Sequence, residues 1–199
     1  MSYAFNETKG KNGAPLVFTF HGTGGDENQF HALASELLPE ARVISLRGDV
    51  NEHGMLRFFR RKAEGVYDMD DLALRTKAMA EFIAAKKGDA TRVIGLGYSN
   101  GANILASVVM ARPDLFSDVV LMHPLIPFAP PAAKLNGTRA LITAGKRDPI
   151  CPAPLTQSLA QWFEKQGADT KLLWHEGGHE IRPQELSAIK EFLNPVYAG

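Results

Sequence analysis

The stretch that decides the fold is residues 91–111, TRVIGLGYSNGANILASVVMA. Its first part, Arg92–Gly97, is short and apolar like a buried strand, and its last part, Ala102–Ala111, has apolar side chains at helical spacing. Between them lies Gly-Tyr-Ser-Asn-Gly, centred on Ser99, which matches the pattern G-x-S-x-G. This pattern predicts a strand, a sharp turn that carries Ser99, and a helix directly after it.

The two glycines of this turn, Gly97 and Gly101, make it sterically possible. The positions two before and two after the serine lie too close together for side chains. Such a turn holds Ser99 in a strained backbone conformation above the sheet edge. It also places the hydroxyl at a helix N-terminus, where the dipole favours developing negative charge. These features predict that Ser99 is a nucleophile.

The same alternation of strand and helix continues along the chain. Apolar periodicity predicts strands over Leu16–Phe20, Arg42–Leu46, Ser117–Met122, Arg139–Ala144 and Lys171–His175, and helices over Asp26–Leu37, Met69–Lys87, Leu155–Gln166 and Pro183–Leu193. Alternation of this kind predicts a three-layer α/β fold, with a mostly parallel sheet and helices on both faces. Residues Tyr3–Phe5 predict a short antiparallel edge strand. The longest irregular stretch, Arg47–Asp68, is long enough to suggest a functional loop or lid, and we expect no sizeable cap domain.

The composition excludes several classes of protein. The chain has 199 residues, so we expect one domain over 1–199. Its 22 basic and 22 acidic residues balance, which gives no electrostatic reason to expect binding to nucleic acid or a membrane surface. One cysteine permits no intrachain disulfide, and no apolar run approaches the roughly 20 residues that span a bilayer. We therefore expect a cytoplasmic protein.

A serine hydroxyl needs a base within hydrogen-bond reach, and the base needs an orienting acceptor. Asp148 directly follows a predicted strand, and Pro149 biases it toward an extended backbone. His179 follows two glycines after the last predicted strand. The order serine, acid, histidine is that of one large class of hydrolases. We therefore predict Asp148 as the orienting acid and His179 as the base, with His175 as the competing base.

A glycine-rich turn, Gly22-Thr23-Gly24-Gly25, follows the first central strand. Backbone amides of such a loop can face the nucleophile and form an oxyanion hole. We predict that the N–H groups of Thr23 and Asn100 form it, and that each contributes roughly 3 kcal/mol to the transition state. His21 is expected to brace the loop. A phosphate-binding turn is the alternative, but neither G-x-G-x-x-G nor G-K-[ST] is present.

Substrate-binding residues are predicted from the loops that follow strand ends. Phe58 and Phe59 could wall an apolar ester group, and Arg57 could meet a carboxylate. Met122 ends another strand and could line the same pocket. The alternative for each is ordinary: phenylalanines and methionine in the core, arginines in solvent. Cys151 has no base of its own and is expected to be inert.

These motifs together resemble the bacterial phospholipase/carboxylesterase family of the α/β-hydrolase superfamily, which includes acyl-protein thioesterase-like enzymes. The resemblance rests on His21–Gly25, Gly97–Asn103, Arg147–Pro149 and Gly177–His179. The segment Gly54–Arg61, GMLRFFRR, is similar to the hydroquinone-associated carboxylesterase subgroup. The resemblance implies a hydrolase of carboxylic esters with no metal and no organic cofactor, with a triad at Ser99, Asp148 and His179, and with a tendency to form homodimers.

The sequence therefore predicts a serine carboxylesterase that acts on small to medium esters through an acyl-enzyme. A thioesterase, a lysophospholipase-type or a dienelactone-type hydrolase on the same triad is the alternative, although dienelactone enzymes usually carry cysteine at the elbow. Thioesterase members carry leucine-glycine where this chain has Thr23-Gly24, which argues against long acyl chains. A non-catalytic binding protein on this scaffold is the remaining alternative.

Overall fold

The computed structural model describes residues 3–194, which are built around a seven-stranded sheet. The strand order is β1-β3-β2-β8-β9-β10-β11, and every neighbouring pair is parallel except β1 with β3. The strands are β1 Phe5–Thr8, β2 Leu16–Phe20, β3 Arg42–Leu46, β8 Val93–Tyr98, β9 Asp118–Met122, β10 Arg139–Gly145 and β11 Asp169–His175. The helices are α1 His31–Leu37, α2 Met69–Lys87, α3 Asn100–Ala111, α4 Ala153–Lys165 and α5 Pro183–Leu193. This arrangement confirms the predicted α/β fold.

Side-chain alternation along the strands divides the interior into two cores. In β2, Phe18 and Phe20 belong to the core beneath α2, α3 and α4, whereas Val17 belongs to the core beneath α1 and α5. In β9, Leu121 and Val120 divide in the same way. Because successive strand side chains point to opposite faces, a central strand must be apolar on both. The five residues of β2 and of β9 are all buried, as that requirement predicts.

Helix α1, the edge strand and residues 47–68 differ most from the sequence prediction. Helix α1 begins at His31 rather than Asp26, because the Asp26 side chain accepts a hydrogen bond from Asn28 N at 2.8 Å and holds that segment in turns. The edge strand is Phe5–Thr8, slightly beyond the predicted Tyr3–Phe5.

Residues 47–68 form two small hairpins rather than an irregular loop. The first pairs β4, Val50–Glu52, with β5, Met55–Arg57, and the second pairs β6, Arg61–Ala63, with β7, Val66–Tyr67. The first hairpin turns at His53-Gly54, where both residues have positive φ, at 53° and 89°. A type I′ hairpin turn requires that geometry at both of its central residues.

The parallel strands bring the predicted functional loops to one edge of the sheet. Phe20 of β2 pairs with Gly97 of β8, and Gly97 pairs with Leu121 of β9, so these strands end side by side. Chemistry in open α/β sheets collects at this carboxyl edge. The loops after β2, β8, β9, β10 and β11 all begin there.

The turn after β8 depends on close backbone contact with the end of β2. A Cβ added at Gly101 would lie 2.2 Å from Phe20 O and 2.5 Å from His21 O. A Cβ at Gly97 would lie 2.7 Å from Gly101 O. Both contacts are with backbone atoms, which cannot move aside as a flexible side chain could.

We predict that Gly101→Ala lowers the free energy of unfolding by about 3 kcal/mol or more, because the extra methyl forces two packed backbones apart. Urea unfolding followed by circular dichroism measures the loss. Gly137→Ala is the control: it has positive φ, at 87°, but nothing within 4 Å of an added Cβ. Equal losses for the two variants would contradict the steric argument.

Candidate active site

Ser99 sits at the elbow between β8 and α3 in the backbone conformation that the motif predicts. Its φ is 52° and its ψ is −118°, a strained combination for a residue with a side chain. Hydrogen bonds hold the turn on both sides, with Ser99 N donating to Met122 O at 2.9 Å and Asn103 N donating to Ser99 O at 3.0 Å. The backbone is therefore locked, and the hydroxyl stands above the sheet edge.

The side chains of Ser99, His179 and Asp148 form one hydrogen-bonded array. His179 Nε2 lies 2.9 Å from Ser99 Oγ, and His179 Nδ1 lies 2.7 Å from Asp148 Oδ2. The carboxylate requires a proton on Nδ1, so Nε2 is left to accept from the hydroxyl. The Asp148 side chain is fully buried, whereas 17% of the His179 side chain is exposed. The array can take a proton from Ser99 at a surface that a substrate can reach.

Asp148 is held ionised by four hydrogen bonds. Burial alone would raise the pKa of this carboxyl, but bonds from Cys151 N, His179, His123 and Ile150 N outweigh it and lower the pKa. The two backbone bonds reach Oδ1, at 2.9 Å from Cys151 N and 2.8 Å from Ile150 N. The turn after β10 thus fixes one carboxylate oxygen, and the other points at His179.

The His179 loop is positioned by close packing and by a tyrosine. A Cβ at Gly145, the last residue of β10, would lie 2.0 Å from Gly178 O, so the two loops touch through their backbones. Tyr98 donates from its hydroxyl to His179 O at 2.8 Å, and its ring lies 5.4 Å from the His179 ring. The His179 imidazole therefore projects from a loop that is held in place on both sides.

The glycine-rich turn after β2 is braced by histidine and arginine. His21 Nε2 accepts from Gly48 N at 2.9 Å, so its Nδ1 carries the proton that is donated to Gly22 O at 2.7 Å. Burial lowers the pKa of His21, which agrees with this neutral form. Arg57 Nη1 donates to Thr23 Oγ1 at 2.7 Å. The turn is thus fixed from both the sheet side and the hairpin side.

The predicted oxyanion donors, Thr23 and Asn100, both line the cavity at Ser99. Gly24 N donates to Leu56 O and Gly25 N to Gly22 O, both at 3.0 Å. No turn or loop hydrogen bond within residues 3–194 engages Thr23 N. Asn100 begins α3, so its N–H lies in the first turn of that helix, where intrahelical acceptors are lacking.

A cavity of about 290 Å³ opens over Ser99 and His179. The two hairpins of residues 50–67, called here the double hairpin, supply one wall. The start of α3 and the loops after β2, β8, β9, β10 and β11 supply the rest. The lining residues are Thr23, Met55, Arg57, Arg61, Glu64, Tyr67, Tyr98, Ser99, Asn100, Asn103, Leu125, Ile150, Cys151 and His179. Arg57 is buried, with Glu52 Oε2 3.6 Å from its Nη1, and desolvation followed by repulsion from Arg61 lowers its pKa. Arg61 is paired with Glu52 and Glu64.

Three of the predicted substrate-binding residues do not reach this cavity. Phe58, Phe59 and Met122 are fully buried and belong to the two cores, so the prediction that they line the pocket is wrong. Phe58 instead packs against His21, with ring centroids 4.7 Å apart, and its N–H donates to Asn100 Oδ1 at 2.7 Å. The alternative for these three side chains, that they pack in the core, is the one that the structure shows.

The sequence prediction missed two buried side chains behind Asp148. His123 directly follows β9, and its Nδ1 lies 3.0 Å from Asp148 Oδ2. Glu185, on the first turn of α5, lies 3.0 Å from His123 Nε2 through Oε1. The position of His123 at a strand end was the available signal, since every neighbouring strand end carries a site residue. His175, the competing base, contacts His123 and Glu185 of this buried pair. Along the hydrogen-bonded chain it is separated from Ser99 by His123, Asp148 and His179.

Comparison with known proteins agrees with this geometry. The model of the dienelactone hydrolase family matches residues 50–181. The chain belongs to this family. It is also 36% identical over 182 residues to MhqD of Bacillus subtilis (strain 168), whose name classes it as a hydrolase, covering 89% of this chain and 91% of that protein. The inferred resemblance to α/β-hydrolase carboxylesterases is thereby confirmed.

Two solved structures extend the likeness of this dienelactone hydrolase family member. The protein Atu2452 of Agrobacterium tumefaciens str. C58, of unknown function, is 53% identical, with a TM-score of 0.93 over 96% of this chain and 95% of that one. The Bacillus cereus carboxylesterase is 39% identical, with a TM-score of 0.89 over 95% and 92%. The chain is therefore a hydrolase by family. Within the described residues, no helix is long and apolar enough to cross a membrane.

A larger groove, of about 520 Å³, lies between α2 and α3 and shares no lining residue with the Ser99 cavity. Its walls are mostly apolar, including Leu72, Met110 and Phe128. It holds no paired nucleophile and base. We assign the chemistry to the smaller cavity, because Ser99 and His179 meet there.

We predict that the fold of this hydrolase is acid-labile through Asp148 and Glu185. Burial opposes the ionisation of both carboxyls, but the hydrogen bonds that they accept have the larger effect. The pKa of Asp148 therefore lies below its ordinary 3.8, and that of Glu185 lies below its ordinary 4.5. A lowered carboxyl pKa stabilises the fold only while the group is ionised. That stability is present above about pH 4.5 and is lost as the pH falls through the lowered values. Urea midpoints measured from neutral pH to pH 3 should fall less steeply in Glu185→Gln, and identical slopes would contradict this assignment.

We predict that Cys151 is unreactive in the folded protein. Burial, with Asp148 nearby, raises the pKa of this thiol, so it stays protonated at neutral pH. Iodoacetamide should modify it at least about tenfold faster in urea than in buffer. Rapid modification of the folded protein would mean that Cys151 is a nucleophile in its own right.

Proposed function

We propose that this protein is a serine carboxylesterase that hydrolyses small to medium carboxylic esters through an acyl-enzyme. One observation carries the proposal: Ser99, His179 and Asp148 are linked by hydrogen bonds of 2.9 and 2.7 Å at the edge of the sheet. A strained serine elbow is unfavourable for folding, and such strain persists mainly where function requires it. The family membership and the similarity to a carboxylesterase support the same reaction class.

Each side chain has a defined step in this mechanism. Ser99 Oγ attacks the ester carbonyl carbon while its proton passes to His179 Nε2. The carbonyl oxygen becomes an oxyanion that accepts hydrogen bonds from the N–H groups of Thr23 and Asn100. The alcohol then leaves with the proton from His179, and the acyl group remains on Ser99. Water deprotonated by His179 attacks the acyl-enzyme, releasing the acid and restoring the serine.

The buried Arg57 supports this assignment of the oxyanion site. Its guanidinium donates to the Thr23 side chain, so it holds the backbone that would bind the oxyanion and adds a nearby positive charge. The cavity volume of about 290 Å³ favours small or medium esters over long acyl chains. We also propose a cytoplasmic location, because the single cysteine is buried and has no second cysteine in the chain to pair with.

We predict that a fluorophosphonate probe labels Ser99 and that Ser99→Ala abolishes labelling. The same variant should lose on the order of 10³-fold or more in esterase kcat, because the acyl-enzyme can no longer form. Peptide mass spectrometry locates the adduct, and a panel of aryl and alkyl esters measures the rate. Ser158→Ala, an exposed serine on α4, is the matched control and should leave both unchanged.

Three results would separate the alternatives. If the probe labels Ser99 and the protein hydrolyses thioesters faster than esters, a thioesterase on the same triad is favoured. Turnover of lysophospholipids above short esters would favour a lysophospholipase. A folded protein in which Ser99 takes up no probe would favour a binding protein on this scaffold.

A further inference from the structure

A chain of buried polar side chains continues inward from the Asp148 carboxylate. Asp148 Oδ2 lies 3.0 Å from His123 Nδ1, and His123 Nε2 lies 3.0 Å from Glu185 Oε1. Glu185 Oε2 in turn lies 3.2 Å from His175 Nε2. The side chains of Asp148, His123 and Glu185 are fully inaccessible to solvent. The helix α5, the strand ends of β9 and β11, and the loop after β10 thus meet in one network.

The partners of His123 define where its protons are. Its two ring nitrogens each face a carboxylate oxygen, and a carboxylate can only accept. Asp148 Oδ2 already accepts from His179, and Glu185 Oε1 already accepts from Thr143 Oγ1 at 2.6 Å. Both nitrogens of His123 must therefore donate, which makes the ring an imidazolium cation between two anions.

The surroundings of Glu185 agree with an ionised carboxylate. Its Oε2 accepts from Arg182 N at 2.6 Å, and its Oε1 accepts from Thr143, so both oxygens are acceptors. Burial would raise the pKa of Glu185, but the bonds from His123 and Thr143 lower it. Burial would likewise lower the pKa of His123, but Glu185 and Asp148 raise it.

His123, His175 and Glu185 are residue types that bind metal ions, but the position of the ring proton on His175 argues against a metal site. Ligand atoms of His123, His175 and Glu185 lie within 4.8 Å of one another. A neutral histidine that binds a metal through one nitrogen must carry its proton on the other. His175 Nδ1 accepts from Gly177 N at 3.0 Å, so the proton is on Nε2, the atom that would have to bind the metal. The cluster is therefore a hydrogen-bonded network.

We propose that His123 is a positioning residue for the triad: a buried cation, held by Glu185, that fixes the Asp148 carboxylate and thereby orients His179. This inference rests on the proposed function. Asp148 Oδ2 is the oxygen that lies 2.7 Å from His179 Nδ1, and the same oxygen lies 3.0 Å from His123 Nδ1. The bond from His123 therefore fixes the direction in which this oxygen faces His179.

The backbone at His123 shows the same kind of constraint as the elbow. Its φ is 50°, and within residues 3–194 only His53, Ser99 and His123 combine a side chain with positive φ. Its N–H donates to Thr143 O at 2.8 Å, and its carbonyl accepts from Cys151 Sγ at 3.2 Å. Strain held in place by such contacts is typical of functional positions.

The polar and titratable groups that face His123 come from each strand, helix and loop packed against it. They are Tyr98 from β8, Thr143 from β10, Asp148 and Cys151 from the loop after β10, His175 and His179 from β11 and its loop, and Glu185 from α5. Burial raises the pKa of Tyr98 to about 12, so it stays neutral in the assay range. The charges that face His123 are thus those of Asp148 and Glu185.

Three variants separate the charge from the hydrogen bond. His123→Asn tolerates positive φ and can still donate to Asp148, but it carries no charge. Glu185→Gln removes the anion that holds the cation. The double variant removes both charges, so it leaves no unpaired buried ion and should fold where a single variant fails. Glu191→Gln, exposed on the same helix, is the control.

We expect the double variant to lose about tenfold or more in kcat at neutral pH, with KM changed by less than about twofold. The kcat falls because the charge-assisted bond that orients Asp148 is gone, whereas the cavity that binds the substrate is unchanged. A merely structural role would change KM as well as kcat. A wild-type kcat in the double variant, with folding intact, would overturn the proposal.

Nitrogen NMR of the imidazole rings tests the charge directly. At about pH 7.5 the wild-type His123, assigned by comparison with His123→Asn, should show protons on both ring nitrogens. In Glu185→Gln it should show one. A neutral His123 in the wild type, or a stoichiometric divalent metal bound at His123 and His175, would overturn the proposal. Failure of Ser99 labelling would instead overturn the proposed function, and the NMR result would stand.

Discussion

The hydrogen bonds to the Asp148 carboxylate connect the exposed chemistry of this hydrolase to its interior. One oxygen is fixed by the turn after β10, and the other is shared by His179 and His123. A buried carboxylate with fewer donors would be protonated and could not orient a base. The positions of the His179 loop, the strand end at His123 and helix α5 are all consistent with this requirement.

The sheet explains why residues distant in sequence can satisfy it. Five adjacent parallel strands end at one edge, and each is followed by a residue of the site or of the buried network. Since the strands are apolar on both faces, their register is strongly constrained and a slip would expose core side chains. The site geometry is therefore maintained by the same burial that stabilises the sheet.

The sequence was sufficient for the helices and main-sheet strands and for bringing Ser99, His179 and Asp148 together, because motifs and strand ends are local patterns. It was insufficient for Phe58, Phe59 and Met122, since an apolar side chain near a strand end can face either the core or a pocket. It also missed Glu185, because its contact with His123 joins residues 62 positions apart and leaves no spacing signal. The hairpins within 47–68 escaped notice because their turns, His53-Gly54 and Glu64-Gly65, are unusual pairs for a two-residue hairpin loop.

Two kinds of segment build the site: the strand ends of the main sheet and the double hairpin. The reacting groups come from strand ends that cannot shift without disturbing the whole sheet. Much of the cavity wall, including Met55, Arg57, Arg61, Glu64 and Tyr67, comes from one continuous stretch of about twenty residues outside the sheet. Evolution can therefore vary the exposed part of the wall, such as Met55, while the buried Arg57 and Phe58 continue to brace the sheet edge. A scaffold of this kind diversifies in substrate preference more readily than in reaction.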